Sequence, residues 1–433
     1  MKAFEYVCAP AAGLHARAGA MIAAACVAMP SVVTIACNGK EAIGTDVLKI
    51  NELEAKKGDT LKISVEGGDE DAAVAKMKEV LAEIDATKDT NNDVLKIAFF
   101  GVKEYDKIYF DALAKDKGEG AYNVEISYIE PRLTTETAYL AEGFNAICIF
   151  VNDEAPAEVL DELNKYGVKL ILLRCAGFNN VDLDVAKKYG MTVLRVPAYS
   201  PYAVAEHAMA ILQAANRHLH KAYNKVRANN YALNGLLGFD LHNKVAGIVT
   251  TGKIGQCMAR ICKGYGMTVL AWDKFPNKAL EEEGLLTYVE KEELFAKADL
   301  ISIHGPLIMG EGGTYHIIDD KAISLMKDNV MLVNTARGGM VDTEALFKAL
   351  KAGKFQAVAL DVYEGENANV YTDHSFDVDF DDVTARLTAF PQVIVTSHQA
   401  FFTREALQAI ATETLDNARN FMQGLPYGVH EVK

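Results

Sequence analysis

Three short stretches carry side chains that move protons and hold anions: NTARGG at 334–339, LDVYEGE at 360–366 and SHQAFF at 397–402. Together they offer a guanidinium (Arg337), two carboxylates (Asp361 and Glu366) and an imidazole (His398). Imidazole titrates near neutral pH, which suits general acid–base work beside a carboxylate. Taken singly, each stretch has a plainer reading, because buried histidines, Arg–Glu pairs and strand-end acids are common in α/β folds. A fourth stretch stands far upstream. GLHARAGA at 13–20 sets His15 among small residues, with Arg17 two positions on.

Positioning such groups needs a scaffold, and the spacing of apolar runs supplies one. From Lys96 onward, KIAFF, AICIFV, KLILL, TVLRV, KVAGIVT, TVLAW, DLISIH, VMLVN, AVALDV and VIVTSH recur between helix-length stretches. Short Val/Ile/Leu-rich runs alternating with helices predict parallel sheets covered on both faces. Asp273, His304, Asn334–Arg337, Asp361–Glu366 and His398 directly follow such runs, and ligands of open α/β sheets bind beyond the carboxyl ends of the strands. Five polar clusters at five strand ends predict one crevice.

Residues 244–273 read as strand, glycine turn, helix, strand, acid. The usual dinucleotide fingerprint G-x-G-x-x-G appears as Thr250-Thr251-Gly252-Lys253-Ile254-Gly255. Gly252 would let backbone approach a pyrophosphate, and Gly255 would let helix and strand pack closely. Thr250 replaces the first glycine, so the tight turn must be made differently. The pyrophosphate is expected at the N-terminus of a helix starting near Lys253. Asp273 is placed to accept a hydrogen bond from the ribose 2′-hydroxyl, and its charge would repel a 2′-phosphate, favouring NAD over NADP.

The balance of 44 basic against 59 acidic residues gives a formal charge of −15 and no Lys/Arg block, which argues against nucleic acid as a partner. No apolar run approaches the ~20 residues of a membrane span, and the first residues lack a signal-like pattern. Seven cysteines, odd in number and without CxxC spacing, predict a reducing cytoplasm with neither disulfides nor a metal site.

Residues 96–433 resemble the D-2-hydroxyacid dehydrogenases, and among them the fermentative D-lactate dehydrogenases. RCAGFNNVDL (174–183), VPAYSPYAVAEHA (196–208), TGKIG, VNTARGG, LDVYEGE and HQAFFT occur in that family's order. The resemblance implies that Arg337 grips the substrate carboxylate and carbonyl, that His398 is the acid–base residue and that Glu366 is its paired acid. It makes Asp361 the nearby carboxylate on the cofactor side. It also implies that the amides of Ala176 and Gly177 hold the substrate carboxylate, with Tyr199 and Phe401 lining the pocket. Around the cofactor it sets Thr251, Gly252, Lys253, Ile254, Gly255, Asp273, His304, Pro306 and Thr335. His207 and His374 read as structural. Hydride addition to a 2-keto acid builds charge on the carbonyl oxygen, so a proton donor beside it is required. A long acidic loop after Glu366, in place of the phosphoglycerate branch's proline, and Gln399-Ala400-Phe401 after the histidine point to pyruvate and D-lactate.

Residues 1–88 resemble the histidine-containing phosphocarrier protein (HPr) of the sugar phosphotransferase system, through GLHARAGA, CNGKEAIG and a closing helix with an acidic start. The resemblance implies phosphorylation at His15 with Arg17 as the neutralising neighbour, and phosphotransferase-system proteins as partners. Ala18 stands where that family usually has proline. Asp46 stands where it has a regulatory serine, so a fixed charge replaces a switchable one.

The expected organisation is an α/β chain of two Rossmann-like parallel-sheet domains preceded by a small α+β HPr-like open-faced sandwich. The sandwich takes 1–88, the substrate domain 94–198 with 397–433, and the NAD domain 199–396. A homo-oligomer is expected. Two other readings stay open: a non-catalytic NAD-sensing or phosphotransferase-regulatory protein, and a broader reductase of 2-keto acids such as oxaloacetate or phenylpyruvate.

Overall fold

The computed structural model describes residues 1–8, 14, 16–86, 94–115, 121–366, 369–376 and 382–432. Four N-terminal strands, β1 (Lys2–Val7), β2 (Val32–Cys37), β3 (Lys40–Ile43) and β4 (Thr60–Glu66), form an antiparallel sheet in the order β1-β4-β2-β3. Burial alternates along β4: Leu61, Ile63 and Val65 are fully buried. They share a core with Ile22 of helix Ala16–Val27 and with Met77, Leu81 and Ile84 of helix Glu70–Ala86. Asp46 is the N-cap of helix Val47–Glu52, its Oδ1 accepting from the amides of Leu48 and Lys49 at 3.0 and 3.1 Å. Residues 87–93, which follow helix Glu70–Ala86, lie outside the described residues.

Five parallel strands follow: β5 (Leu95–Phe99), β6 (Val124–Tyr128), β7 (Ala146–Ile149), β8 (Leu170–Leu173) and β9 (Thr192–Arg195), ordered β6-β5-β7-β8-β9. Every residue of β7 and β8 is buried, as a two-sided core strand requires.

The third sheet contains β10 (Val245–Val249), β11 (Thr268–Trp272), β12 (Thr287–Tyr288), β13 (Leu300–Ile303), β14 (Val330–Asn334), β15 (Phe355–Leu360) and β16 (Val393–Val395). All seven are parallel, in the order β12-β11-β10-β13-β14-β15-β16. Alternate residues feed two cores. Val330, Leu332, Val358 and Leu360 enter one, and Met331, Val333, Ala357 and Ala359 enter the other. Burying each such side chain is worth about 1.5–3 kcal/mol for the larger aliphatics, so a one-residue slip would misplace both layers. The chain leaves β10 in one direction and returns at β13 on the other side, and such a reversal opens a crevice at the carboxyl ends.

By packing, the chain forms two compact units: Met1–Pro197 with Ile410–Lys433, and Ala198–Ala409. The second thus holds residues 397–409, which the expected boundaries placed with the substrate domain. All seven cysteines are free and buried. Among the described residues, no helix is long and apolar enough to cross a membrane, and no cluster of ligand side chains is arranged for a metal.

Candidate active site

The turn after β10 shows how Thr250 replaces glycine. Its φ is 70°, in the left-handed region that a β-branched residue rarely adopts. Its amide donates to the Trp272 carbonyl at 2.8 Å, tying the turn to β11. Helix Lys253–Gly264 starts at once, with Gly252 as N-cap. A Cβ on Gly255 would lie 2.1 Å from the Thr250 carbonyl oxygen, so only glycine lets this helix approach its strand. A Cβ on Gly252 would meet nothing within 4 Å, leaving open space before the helix N-terminus. Asp273, just past β11, accepts from the Thr251 amide and hydroxyl at 2.6 and 3.0 Å and from the Phe275 amide at 2.9 Å. An anion cradle and an acid at the next strand end fit the two ends of an adenosine diphosphate group.

Further along the same sheet edge, Thr250 Oγ1, His304 Nδ1 and Thr335 Oγ1 are buried polar atoms with no partner among the described residues. Burial pushes the His304 imidazole down to about 3, so it is neutral near pH 7, and its Nε2 lies 2.7 Å from Ser302 Oγ. Ile254 is half-buried, and Lys253 and Pro306 are exposed at the same tips. Orphaned polar groups at β10, β13 and β14 fit a site that takes a polar cofactor.

Arg337 follows β14 on a turn stapled by Asn334, whose Oδ1 accepts from the Ala336 amide at 3.0 Å and whose Nδ2 donates to the Arg337 carbonyl at 2.9 Å. The guanidinium is half-buried, donates to the Ala336 carbonyl at 2.7 Å and pairs with no carboxylate among the described residues. Gly338 seats this turn against the next one: a Cβ there would lie 2.2 Å from the Tyr363 carbonyl oxygen.

Asp361, directly after β15, is fully buried. Its carboxylate accepts from Thr396 Oγ1 at 2.5 Å and from the amides of Gln399 and Ala400 at 2.9 Å each, and it lies 3.3 Å from His207 Nε2. The Asp361 carbonyl accepts the His398 amide at 2.9 Å. The loop therefore folds around one carboxylate and holds His398 at a left-handed φ of 48°. Burial pushes the Asp361 carboxyl up, but bonds from His207, Thr396 and the two amides outweigh it and leave it below the usual carboxylate range. Both oxygens of Asp361 are thus taken up by the loop that carries His398.

His398 Nδ1 lies 3.0 Å from Glu366 Oε1, with the Glu366 side chain nine-tenths buried. Tyr371 OH donates to the His398 carbonyl at 2.9 Å. Tyr371 and Tyr199 each set their rings 6.3 Å from Phe401, forming an aromatic group beside the imidazole. Ala176 and Gly177 lie in the first unit beyond β8, and neither amide is paired among the described residues. Arg195 braces that loop by donating to the Ala176 carbonyl at 3.0 Å. Arg17 stands in the first turn of helix Ala16–Val27, and His15 lies outside the described residues.

Sequence reasoning missed the supports Thr396 and Tyr371 and the role of Asp361, while His207, read as structural, lies 3.3 Å from that carboxylate. An acid followed at a distance by His-Gln-Ala was the available signal, since consecutive loop amides need an acceptor.

Residues 209–400 match the NAD-binding domain of D-isomer-specific 2-hydroxyacid dehydrogenases. Residues 2–83 match the PTS HPr component phosphorylation site. The D-lactate dehydrogenase of Escherichia coli is 46% identical over 330 residues, covering 76% of this chain and 98% of its own. This chain is a D-2-hydroxyacid dehydrogenase by family. The apo structure of the E. coli D-lactate dehydrogenase superposes with a TM-score of 0.70 at 44% identity, over 78% of this chain and 100% of that one. The pyruvate reductase of Chlamydomonas reinhardtii gives a TM-score of 0.72 at 42% identity, covering 78% and 99%. An Aquifex aeolicus D-lactate dehydrogenase complexed with NAD and lactic acid gives 0.66 at 31%, covering 76% and 96%. The dehydrogenase part is an NAD-dependent oxidoreductase, and an HPr-like domain precedes it.

Proposed function

We propose that this dehydrogenase reduces pyruvate to D-lactate. NADH supplies the hydride. Arg337 binds the substrate carboxylate and polarises the carbonyl. His398 gives its Nε2 proton to the carbonyl oxygen, while Glu366 holds Nδ1 and orients the ring. Asp361 keeps the His398 loop in place, and Tyr199 and Phe401 offer apolar contact to a small methyl group.

The observation that carries this reading is the 3.0 Å pairing of His398 with Glu366, one strand tip from an arginine without a carboxylate partner among the described residues. The names of the E. coli and Chlamydomonas proteins support pyruvate. The deciding assay is NADH oxidation with pyruvate, oxaloacetate and phenylpyruvate, wild type against His398→Ala. Pyruvate should give the highest kcat/KM, and the substitution should remove nearly all of it. A flat profile across the three acids would favour the broader reductase.

The HPr-like domain, residues 1–88, couples the enzyme to phosphotransferase proteins through phosphate on His15. Its match to the HPr family model supports this. Incubation with enzyme I and phosphoenolpyruvate should label the wild type and not His15→Ala; an unlabelled wild type would end the proposal. The dehydrogenase self-associates through the segment after helix Pro201–Asn216, where Leu219, Tyr223, Tyr231, Leu233 and Leu237 are all more than half exposed. Sedimentation of the wild type against Tyr223→Glu/Leu233→Glu tests it: the parent should be an oligomer and the variant a monomer.

A further inference from the structure

Behind Glu366 lies a cavity of about 410 Å³, bordered by helix Asp382–Thr388 and the segment 369–374. Arg337, His398, Tyr199, Phe401 and the glycine turn take no part in its lining. Its walls include Val370, Ala385 and Val395, with Tyr363, Thr388 and Glu366 among the polar groups.

Glu366 makes this cavity more than a packing gap. Oε1 is engaged by His398, but Oε2 is buried and has no partner among the described residues. A buried acceptor left unpaired is costly, so the cavity is short of a donor. Neither Thr384 nor Thr388 supplies one. Thr384 Oγ1 donates to Tyr363 OH at 2.7 Å, and Thr388 Oγ1 donates to the Thr384 carbonyl at 2.8 Å. A ligand hydroxyl would supply that donor. An anion would meet the Glu366 carboxylate. A cation would compete with His398 for Glu366. A neutral hydroxyl does neither, and an alkyl part would cover the valine and alanine walls.

We propose that this cavity binds a small neutral alcohol or diol, its hydroxyl donating to Glu366 Oε2 and its carbon chain packing on Val370, Ala385 and Val395. Occupancy would complete the hydrogen bonding of the acid that orients His398. That consequence rests on the proposed reductase mechanism, whereas the binding does not.

The test uses the full chain with labelled valine methyls and 1,2-propanediol as the probe. Saturable shifts of the Val370 and Val395 methyls are expected, with a dissociation constant in the millimolar range, as suits about −4 kcal/mol from five heavy atoms. Ala385→Trp, on an exposed helix position, should fill the cavity and weaken binding at least about tenfold. Acetate should give no saturable shift. Shifts that rise linearly, persist in folded Ala385→Trp or appear equally with acetate would overturn the proposal. A chain that binds the diol but fails to reduce pyruvate would overturn the reductase reading and leave this site standing.

Discussion

Nδ1 of His398 meets Oε1 of Glu366 at 3.0 Å across 32 residues of chain. The contact fixes which ring nitrogen faces the acid and leaves Nε2 for substrate. Glu366→Gln keeps a hydrogen-bonding oxygen but removes the carboxylate charge beside the ring. It should lower kcat on the order of 10²-fold with little change in KM, and His398→Ala should lower it by up to about 10⁴-fold. Steady-state kinetics with pyruvate checks both. Equal losses in KM and none in kcat would make the pair a binding element.

Asp361 should govern stability as well as activity. Its folded carboxyl lies below the ordinary range, so its contribution is fully present above the unfolded value of about 3.9 and is lost as pH falls through the folded one. Asp361→Asn cannot accept on both sides. At neutral pH it should be less stable by about 1–3 kcal/mol. Below about pH 4 the gap to wild type should narrow, since the parent loses what the variant never had. Urea unfolding across that range reads both outcomes. A gap independent of pH would mean the carboxylate charge is irrelevant.

Asp273 should set cofactor choice. It now holds the Thr251 amide at 2.6 Å, the position from which an acid opposes a 2′-phosphate. Asp273→Ala should raise KM for NADH and bring the NADPH/NADH ratio of kcat/KM up by roughly 10- to 100-fold, the size of one lost charge–charge or charged hydrogen-bond contact. An unchanged ratio would place discrimination elsewhere.

Much of this was legible in the chain before folding. The ten apolar runs from KIAFF to VIVTSH are ten strands, because a two-sided core strand needs an unbroken aliphatic run and little else has one. β6 and β12 were not legible: one is an edge strand of half-buried residues, the other has only two. β1 is an edge with only Phe4 and Tyr6 half-buried, so its alternation is faint. For the site, the strand-end rule pointed to Arg337, Glu366 and His398, because side chains beyond a buried run emerge at one sheet edge. The braces did not show. Tyr371 reaches the His398 carbonyl from a polar insertion with no periodicity, and Thr396 looks like any strand residue.

Arg174 is a brace of another kind. It is 3% exposed at the end of β8, with its guanidinium 4.4 Å from the Phe99 ring and its nitrogens 3.8 and 3.9 Å from Asp106 and Asp153. Burial raises both carboxyls despite the arginine, so removing the cation leaves two buried acids without compensation. Arg174→Met should cost about 3–5 kcal/mol. Arg174→Met/Asp106→Asn/Asp153→Asn should recover part of it, since a neutral amide still offers an acceptor to the Lys103, Leu133 and Phe150 amides without a buried charge. Chemical denaturation of the series decides; a single variant as stable as the parent would show the acids are already neutral.

Thr250 offers the sharpest check on the strained turn. A non-glycine left-handed residue costs roughly 1–2 kcal/mol, and its buried Oγ1 lacks a partner among the described residues. Glycine removes both costs but adds about 0.5–1 kcal/mol of unfolded-state entropy and gives up a buried methyl worth about 0.8 kcal/mol. Thr250→Gly should therefore be more stable than the parent by about 1 kcal/mol, raising Tm by roughly 2–4 °C in a unit of this size. Thr250→Ala removes the hydroxyl but keeps the backbone strain, so it should fall below the glycine variant. Differential scanning calorimetry of the three apo proteins orders them. If alanine equals or exceeds glycine, the left-handed backbone carries no strain, and Thr250 replaces the first glycine of the cofactor turn without conformational cost.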